Sequence, residues 1–489
     1  MYIDILYRNE ESLKNAGYMS ERTVYHLCLD KALQLFFPDL NRSKYFYSVL
    51  SRPLTSYEDI KFRQDIFTDF LECDDLFESL YSVFSKFKET ADSHQRSKSA
   101  AFGGMLASGG SMGISSASLQ MNALFLKRAL LYTRELSKVL SKADIRSYGL
   151  IRVRDEIAKF VNNEKIDEAI RFASKFESIS ITKNADFKVE VGDEGTIKSF
   201  SLMDPLYVKY ALPENKGILS FFKKPKEEEV KSYAFISNVD AEFYQNMIGG
   251  AYSELSYAFE SWGTQVYKMF NSVFTQMEFY GVGLKYASRL KHYGTDPVLP
   301  EITDKKGFEY TGLRDILLIL KDQSSKKVVP NDLIHDDKKE GLLIFGGNGS
   351  GKTVFLRSLA TMQVLGQAGL PVPCTHAKIF PYKTIHTQFS EGEKMFTQGN
   401  DAGRFEQEVS EISDMVKNMT DDSLIILNET FQTTAYEEGA KGLFDILKYF
   451  SSKNVMWILV SHLTHLKEYY SKDDAYFMHT DGSFRVIPD

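Results

Sequence analysis

Eight residues in the last third of the chain have the types and spacing of a loop that holds phosphate groups. Residues 346 to 353 read GGNGSGKT, which satisfies the pattern G-x-x-x-x-G-K-[ST] in full. The apolar run LLIF precedes the loop and the helical pattern VFLRSLATMQVLGQ follows it. Glycines let backbone amides turn toward phosphate oxygens, and the N-terminus of the next helix adds a favourable dipole. This strand-loop-helix context favours a nucleotide-binding loop over an ordinary glycine turn.

Two side chains of the loop have separate expected roles. Lys352 is expected to reach the β- and γ-phosphates of ATP, and Thr353 is expected to ligate Mg²⁺. The predicted cofactors are therefore ATP and Mg²⁺. The predicted nucleotide-binding residues are Gly346, Gly347, Asn348, Gly349, Ser350, Gly351, Lys352, Thr353 and Val354.

Hydrolysis also requires an acid near the metal and a group that activates water. The apolar run SLIIL ends in Asn428 and Glu429, at the carboxyl end of a predicted buried strand, where sites of open α/β sheets form. Glu429 is the candidate base. Asn428 stands where such runs usually carry Asp; its amide oxygen can accept a bond from Thr353 or from a metal-bound water. Because Asn428 is neutral, we expect weaker Mg²⁺ binding and slower hydrolysis.

A later apolar run, MWILVS, ends in His462. From the end of a strand this histidine could contact the γ-phosphate, while the alternative is a histidine packed in the core. The strand-end position favours the functional interpretation. The predicted catalytic residues are therefore Glu429, Lys352 and His462, and the predicted metal-side residues are Thr353, Asn428 (through water) and Glu429.

Length and composition limit the classes of protein that fit. A chain of 489 residues suggests two to four domains. A net charge of -7 argues against a generally basic nucleic-acid coat but leaves room for a local basic groove. The three cysteines lie far apart without C-x-x-C spacing, which indicates neither a disulfide framework nor a zinc site. Since no long apolar run occurs either, we expect a cytoplasmic protein without membrane contact.

Long helices are predicted before the phosphate loop. The segment after Pro53 opens with Thr55-x-x-Glu58, a capping-box spacing, and continues with helical periodicity through SKF at residue 87. A second helical block is predicted from 119 to 176. In the third, an apolar stripe steps by three or four residues from Phe243 to Met277. One helix of about 50 residues would span roughly 75 Å. Several shorter stacked helices are the alternative, with glycines as breaks.

Two segments differ in composition from these helices. Residues 99 to 118 are rich in Gly, Ser and Ala, and a flexible connector is favoured there over a phosphate-contacting or hinge loop. Residues 177 to 236 alternate and contain many β-branched residues, which predicts a small β-rich insertion. Within it, the run KKPKEEE at 223 to 229 fits a solvated loop better than a DNA contact.

The resulting prediction is a multidomain chain of mixed fold class. Residues 1–176 are predicted to form a helical core and first lever, 177–236 a small β-rich insertion, and 237–314 the second lever helices. Residues 315–489 form an α/β P-loop ATPase domain, because the runs GLLIF, SLIIL and VMWILVS are typical of buried strands alternating with helices.

Several stretches resemble the MutS mismatch-repair ATPases. GGNGSGKTVFLR resembles their phosphate loop, GQAGLPVPCTHAKI at 366 to 379 the segment after its helix, and DDSLIILNETFQTTAYEEG at 421 to 439 their Walker B and D-loop. ILVSH at 458 to 462 is similar to their switch-histidine strand, and VVPNDL at 328 to 333 precedes the loop as it does there. RPLTSYEDIKFRQDIF and the segment 276 to 302 resemble their core and lever helices.

This resemblance implies an ABC-type dimer. Two ATPase domains would sandwich ATP at their interface, and long levers would transmit the nucleotide state to a clamp on DNA. The insertion at 177–236 lies where the family has that clamp, so the resemblance implies that it is clamp-like. The resemblance also implies that Glu429 polarises water and that His462 contacts the γ-phosphate. The residues that it implies bind phosphates are Gly346, Asn348, Ser350, Gly351, Lys352 and Thr353.

The sequence also departs from the family pattern. The segment NDAGRFEQEVSE at 400 to 411 has Gly403 where the family has a serine that acts across the dimer. Arg404 beside it is either a trans-acting cation that binds the partner's nucleotide or a surface residue. The N-terminal mismatch-reading and connector domains have no counterpart, which implies a branch of the family without them.

Two functions are consistent with these features of the sequence. The first is a homodimeric ATPase, slow because of Asn428, that couples ATP-driven clamping to mismatched, branched or structured DNA in repair or recombination. The second is an ATP-dependent switch or scaffold that hardly hydrolyses and binds a repair protein through its levers. An ATPase of the chromosome-maintenance kind fits less well, since it needs a Ser-Gly-Gly signature and longer arms.

Overall fold

The chain folds into two compact units. A computed structural model describes residues 3–29, 40–108, 116–176, 187–191, 197–202, 208–209, 238–336, 338–389, 401–431 and 436–489. One unit contains residues 75–145 and 151–275 together with the first three residues, and is called the helical unit below. The other contains 4–74, 146–150 and 276–489, and is called the sheet unit.

The described residues contain these α-helices: α1 (Glu10–Lys14), α2 (Glu21–His26), α3 (Leu40–Leu50), α4 (Tyr57–Glu72), α5 (Leu76–Ser108), α6 (Ser116–Lys142), α7 (Tyr148–Val161), α8 (Glu164–Ser174), α9 (Asn238–His292), α10 (Ile316–Asp322), α11 (Lys352–Gln367), α12 (Asp401–Asn418), α13 (Tyr436–Ser452) and α14 (Leu466–Tyr469).

The strands in the same ranges are β1 (Tyr18–Met19), β2 (Phe187–Val191), β3 (Ile197–Leu202), β4 (Val208–Lys209), β5 (Glu301–Ile302), β6 (Gly307–Leu313), β7 (Asn331–Asp336), β8 (Gly341–Phe345), β9 (His376–Ile379), β10 (Thr384–Phe389), β11 (Ser423–Asn428), β12 (Met456–Val460), β13 (Tyr476–Thr480) and β14 (Val486–Pro488).

The long helix predicted from the apolar stripe is confirmed. Helix α9 runs without a break for 55 residues, so the alternative of several shorter helices is wrong. Within it, Gly263 lies where a Cβ would come 2.9 Å from the Phe125 ring, so the absence of a side chain allows the close approach of α6. The glycine that suggested a break in the sequence is therefore a packing position.

Three details of the helical prediction need correction. Helix α4 begins one residue later than the capping box implied, because the Ser56 hydroxyl, not that of Thr55, accepts the Asp59 amide at 3.2 Å. The predicted continuous helix is interrupted between α4 and α5, where Asp75 has a left-handed φ of 58°. Helix α5 continues to Ser108, so the first half of the Gly/Ser segment is helical rather than a connector. Residues 109–115 lie outside the described residues.

The helical unit is held together by an aromatic core. Phe87, Phe176 and Phe270 are at most 1% exposed. The Phe87 ring lies 5.3 Å from the ring of Tyr267, which joins α5 to α9. A buried amide also crosses the helices, since Asn122 donates to the Ser256 hydroxyl at 2.9 Å.

Strands β2, β3 and β4 form a three-stranded sheet, antiparallel throughout. They belong to the helical unit. The charged run at 223–229, which suggested a solvated loop, lies outside the described residues.

The sheet unit is built on a seven-stranded sheet in the order β1-β10-β11-β12-β8-β13-β14. All neighbours are parallel except β13 and β14. The predicted runs GLLIF, SLIIL and MWILV form β8, β11 and β12, and every residue in them is buried. Continuous apolar runs are expected for central parallel strands that are covered on both faces. The mixed α/β character predicted for this part is confirmed.

Strand β1 pairs with the far edge of this sheet and was not predicted from the sequence. Tyr18 is in register with Thr384, and Met19 with Ile385. The His26 ring, at the end of α2, lies 3.0 Å from the Thr387 hydroxyl and stacks on Phe389. A second sheet, in the order β5-β9-β6-β7, completes the unit.

Membrane crossing requires a long and apolar helix. The helices in the described ranges include none that meets both conditions.

Candidate nucleotide-binding site

The phosphate loop connects the end of β8 to the start of α11, as its sequence context predicted. Gly346, Gly349 and Gly351 have φ angles of 155°, 74° and 91°, which side chains rarely tolerate. A Cβ on Gly346 would come 1.9 Å from the Thr480 hydroxyl of β13. Both the backbone conformation and the packing therefore require glycine at that position. The loop leads directly into the N-terminus of α11, which favours anions.

Lys352 is folded into the loop that precedes it. Its side chain is 3% exposed, and Nζ donates to the carbonyl oxygens of Gly346 at 2.9 Å and Gly347 at 2.8 Å. Burial lowers the pKa of Lys352, and the nearby Glu429 carboxylate opposes that shift. The ammonium group is thus held in place by acceptors that a phosphate could replace.

Glu429 and His462 converge on the same lysine from two neighbouring strands. Glu429 Oε1 lies 2.9 Å from His462 Nε2 and 3.9 Å from Lys352 Nζ. His462 Nε2 lies 3.4 Å from the same Nζ. The structure therefore brings all three predicted catalytic residues together. The reason is topological: β11, β12 and β8 are adjacent and parallel, so their carboxyl ends meet at one edge.

Thr353 and Asn428 form the second pair at this edge. The Thr353 hydroxyl donates to Asn428 Oδ1 at 3.2 Å. Asn428 is the last residue of β11 and is 5% exposed. This is the hydrogen bond that the amide oxygen was expected to accept. The pair places two oxygen atoms at the loop, and oxygen is the ligand type that Mg²⁺ prefers.

A cleft of about 560 Å³ opens beside the loop. One part of its wall is polar and consists of the loop with Glu429, Asp315, Lys327, Asn331 and Ser358. The other part is apolar and was not predicted from the sequence as part of the site. Two of its residues, Val328 and Val329, belong to the stretch VVPNDL, which contributed to the family resemblance. The residues of the apolar part are Leu313, Leu318, Val328, Val329, Phe355 and Phe484. A site with one apolar and one polar part suits a ligand that combines a base with phosphates.

Asp315, also in the cleft wall, fixes the loop helix from the outside. It is 4% exposed, and its Oδ2 accepts bonds from Arg357 and from the Ser358 hydroxyl, both at 3.1 Å. Its Oδ1 caps α10 by accepting the Leu318 amide at 2.8 Å. Asp315 was missed because its partners are remote in sequence.

Further hydrogen bonds hold the phosphate loop and the backbone beside His462. The Ser350 and Thr480 hydroxyls are 2.5 Å apart, which ties the loop to β13. The Tyr436 hydroxyl donates to the His462 carbonyl oxygen and accepts the Thr464 amide at 3.0 Å. These contacts hold the backbone on both sides of the site.

The segment expected to act across a dimer lies at the start of α12. Gly403 is in the first turn of that helix and is exposed. The side chain of Arg404 lies outside the described residues, and its role stays a prediction.

The arrangement defines a P-loop nucleotide-binding domain: a parallel sheet, a glycine loop after a central strand, and a carboxylate and an imidazole at the ends of the next strands. Residues 342–481 match the family model described as MutS domain V. Residues 342–481 therefore form a region of the MutS domain V type, and the resemblance found in the sequence is confirmed there.

Curated relatives are similar to part of the chain. The chain is 26% identical to "Endonuclease MutS2" of Lactobacillus helveticus over 40% of this chain and 23% of the relative. It is 28% identical to "MutS protein homolog 4" of Homo sapiens over 35% of this chain and 18% of the relative. It is 31% identical to "DNA mismatch repair protein msh3" of Aspergillus oryzae over 28% of this chain and 12% of the relative. These matches span less than a quarter of each relative.

Proposed function

We propose that this protein binds ATP with Mg²⁺ and hydrolyses it slowly, and that it couples the nucleotide state to DNA binding. The convergence of Glu429, His462 and Lys352 beside the glycine loop carries the proposal. Glu429 Oε1 lies 2.9 Å from the imidazole and 3.9 Å from the ammonium group. A carboxylate, an imidazole and a lysine so placed can act on the terminal phosphate of a bound nucleotide.

Each residue has a defined task in this proposal. Lys352 exchanges its bonds to the loop carbonyl oxygens for bonds to the β- and γ-phosphates. Glu429 orients the attacking water and accepts its proton, while His462 donates a hydrogen bond to the γ-phosphate. Thr353, Asn428 and Glu429 would hold Mg²⁺, Asn428 through a water. When bound, the ion supplies positive charge that offsets the charge developing on the phosphate oxygens.

Asn428 makes the proposed reaction slow. Its neutral amide accepts the Thr353 hydroxyl, as a carboxylate would, but adds no negative charge beside the ion. Magnesium binding and turnover would both be weaker than with a carboxylate there.

The proposal extends to the assembly and to DNA. Two copies would pair through their ATPase domains, with Arg404 contacting the partner's nucleotide. Helices of the core and first lever (1–176) and the second levers (237–314) would connect the ATPase domain (315–489) to a clamp formed by 177–236. The relatives are named for mismatch repair and endonuclease function. We propose that the DNA bound here is mismatched, branched or structured.

A second function is favoured by the neutral Asn428. In it, ATP binding clamps two heads together without appreciable hydrolysis, and a repair protein binds the levers. The same loop, lysine and cleft would serve this switch or scaffold.

ATP turnover separates the two functions. The wild type, Glu429→Gln and Lys352→Ala are compared in a phosphate-release assay with matched Mg²⁺. Slow turnover that is lost in Glu429→Gln, with ATP binding retained, supports the hydrolase. If the wild type and Glu429→Gln both release phosphate only at the rate of the protein-free blank, the result supports the switch.

DNA binding is tested separately. Affinity for duplex, mismatched and four-way junction DNA is measured against salt concentration, with and without ATP. Salt-dependent binding that changes with ATP is expected. Flat titrations with all three DNAs would remove DNA as the partner.

A further inference from the structure

The turn that follows β11 contains two residues in an unusual backbone conformation. Glu429 has a φ of 58° and Phe431 a φ of 62°, both in the left-handed region. Residues other than glycine rarely occupy that region, and they persist there only when the surrounding structure holds them. The turn carries the candidate base, so whatever holds it also determines where the Glu429 carboxylate points.

On one side, a buried carboxylate holds the turn. Glu408, on α12, is 4% exposed, and its Oε2 accepts the Phe431 amide at 2.8 Å. The Phe405 ring, one turn earlier on the same helix, lies 5.3 Å from the Phe431 ring. A carboxylate that accepts a backbone amide in a buried position makes a strong hydrogen bond, and its loss leaves a donor unsatisfied.

On the other side, the buried side-chain amide of Gln388 holds the turn. The Thr430 hydroxyl donates to Gln388 Oε1, at the end of β10. Gln388 is 1% exposed and Thr430 is 0% exposed. The Glu429 amide in turn donates to the Val460 carbonyl oxygen at 2.8 Å, which attaches the start of the turn to β12. The three residues of the turn are therefore bonded to three different elements.

We propose that Glu408 and Gln388 are positioning residues that hold the Glu429–Phe431 turn and so set the direction of the Glu429 carboxylate. The inference rests on the proposed hydrolysis for its catalytic consequence. Neither residue touches the nucleotide in this account. Both act through the turn, and neither role follows from the phosphate-loop motif.

Variants of Glu408 separate positioning from structural support. Glu408→Gln keeps an acceptor oxygen for the Phe431 amide, whereas Glu408→Ala removes it. We expect Glu408→Ala to lower kcat about 100-fold, since a misplaced catalytic group has an effect of that order. The Kd for ATP should stay within about twofold, because the loop does not depend on this bond. Glu408→Gln should restore most of kcat.

Two further variants test whether any carboxylate on α12 has the same effect and whether the Gln388 contact also matters. Asp414→Ala removes an exposed carboxylate from the same helix, outside the 400–411 segment, and should leave kcat unchanged. Gln388→Ala should lower kcat in the same way as Glu408→Ala, since it removes the acceptor for the Thr430 hydroxyl. Thermal unfolding of each variant shows whether the fold is intact.

Amide hydrogen exchange at Phe431 gives a readout that does not require turnover. Exchange should quicken at least about tenfold in Glu408→Ala and stay slow in Glu408→Gln. If the wild type fails to hydrolyse ATP, the proposed function fails, and exchange still decides whether Glu408 holds the turn. Unchanged exchange in Glu408→Ala overturns the inference. So does a kcat that is unchanged in both alanine variants of an active wild type, or a Kd that rises as much as kcat falls.

Discussion

Replacing Asn428 with aspartate changes the charge beside the phosphate loop with almost no change in shape. The amide oxygen of Asn428 accepts the Thr353 hydroxyl at 3.2 Å, and a carboxylate oxygen can accept the same bond. The side chain is 5% exposed, so the added charge is poorly solvated. Asn428→Asp therefore isolates the electrostatic part of the proposed magnesium binding.

The expected change in Mg²⁺ affinity follows from two opposing effects. A carboxylate about 4 Å from a unit positive charge is attracted to it by about 4 kcal/mol at an effective dielectric constant of 20, and to the divalent Mg²⁺ by roughly twice as much, less the cost of removing water from the ion. Dehydration of the buried carboxylate offsets most of this gain. A net benefit of about 1.4 kcal/mol corresponds to roughly tenfold tighter Mg²⁺ binding. Without nucleotide, burial of the added charge should cost about 1–3 kcal/mol of unfolding free energy.

The assay is a magnesium titration of ATP turnover in the wild type and in Asn428→Asp. The concentration of Mg²⁺ for half-maximal turnover should fall about tenfold, and turnover should rise. The midpoint of denaturant unfolding without nucleotide should fall, and ATP with Mg²⁺ should restore it.

Asn331→Asp is the matched control, because Asn331 lines the same cleft and its Oδ1 also accepts a hydrogen bond, from the Val486 amide at 2.7 Å. This control should leave the magnesium requirement unchanged. Equal magnesium titrations for the wild type and Asn428→Asp would refute the assignment of Asn428 to the metal side of the site.

Three further outcomes are expected. Thr480→Val removes the 2.5 Å contact with Ser350 and should weaken ATP binding about fivefold, or about 1 kcal/mol, in a fluorescent-nucleotide titration; unchanged affinity would contradict this. Asp315→Ala removes a buried acceptor from three donors and should lower the unfolding free energy by about 2–4 kcal/mol in urea; a loss below about 0.5 kcal/mol would contradict it. Burial lowers the pKa of both His26 and His386 to about 4. Between pH 6.5 and 4 the unfolded chain therefore binds more protons than the folded chain. The free energy of unfolding should fall as the pH falls through that window, and it should fall less steeply in His26→Phe.

Much of the site could be predicted because it depends on local patterns and one rule of topology. The run GLLIF followed by the glycine loop and an apolar helix predicts its own conformation. Glu429 and His462 follow two further apolar runs, and the carboxyl ends of neighbouring parallel strands meet at one edge. The long helix α9 was predictable for a similar reason, since its apolar stripe continues over more than thirty residues without proline.

Other features depend on contacts between residues distant in sequence. Strand β1 has two residues and pairs with β10, more than 360 positions later, so its local pattern carries no signal. Asp315 and Glu408 look like ordinary surface acids in the sequence, and only their buried partners reveal their roles. The start of α4 at Ser56 instead of Thr55 reflects a choice between adjacent hydroxyls that the fold decides.

Calorimetric titration of ATP with Mg²⁺ into the wild type and into Lys352→Ala tests the central claim most directly. The claim is that the glycine loop and its buried lysine hold a triphosphate in front of Glu429. We expect saturable heat with one site per chain in the wild type, and at least about tenfold weaker binding in Lys352→Ala. An absence of binding heat in the wild type at several temperatures, or equal affinity in the two proteins, would contradict it.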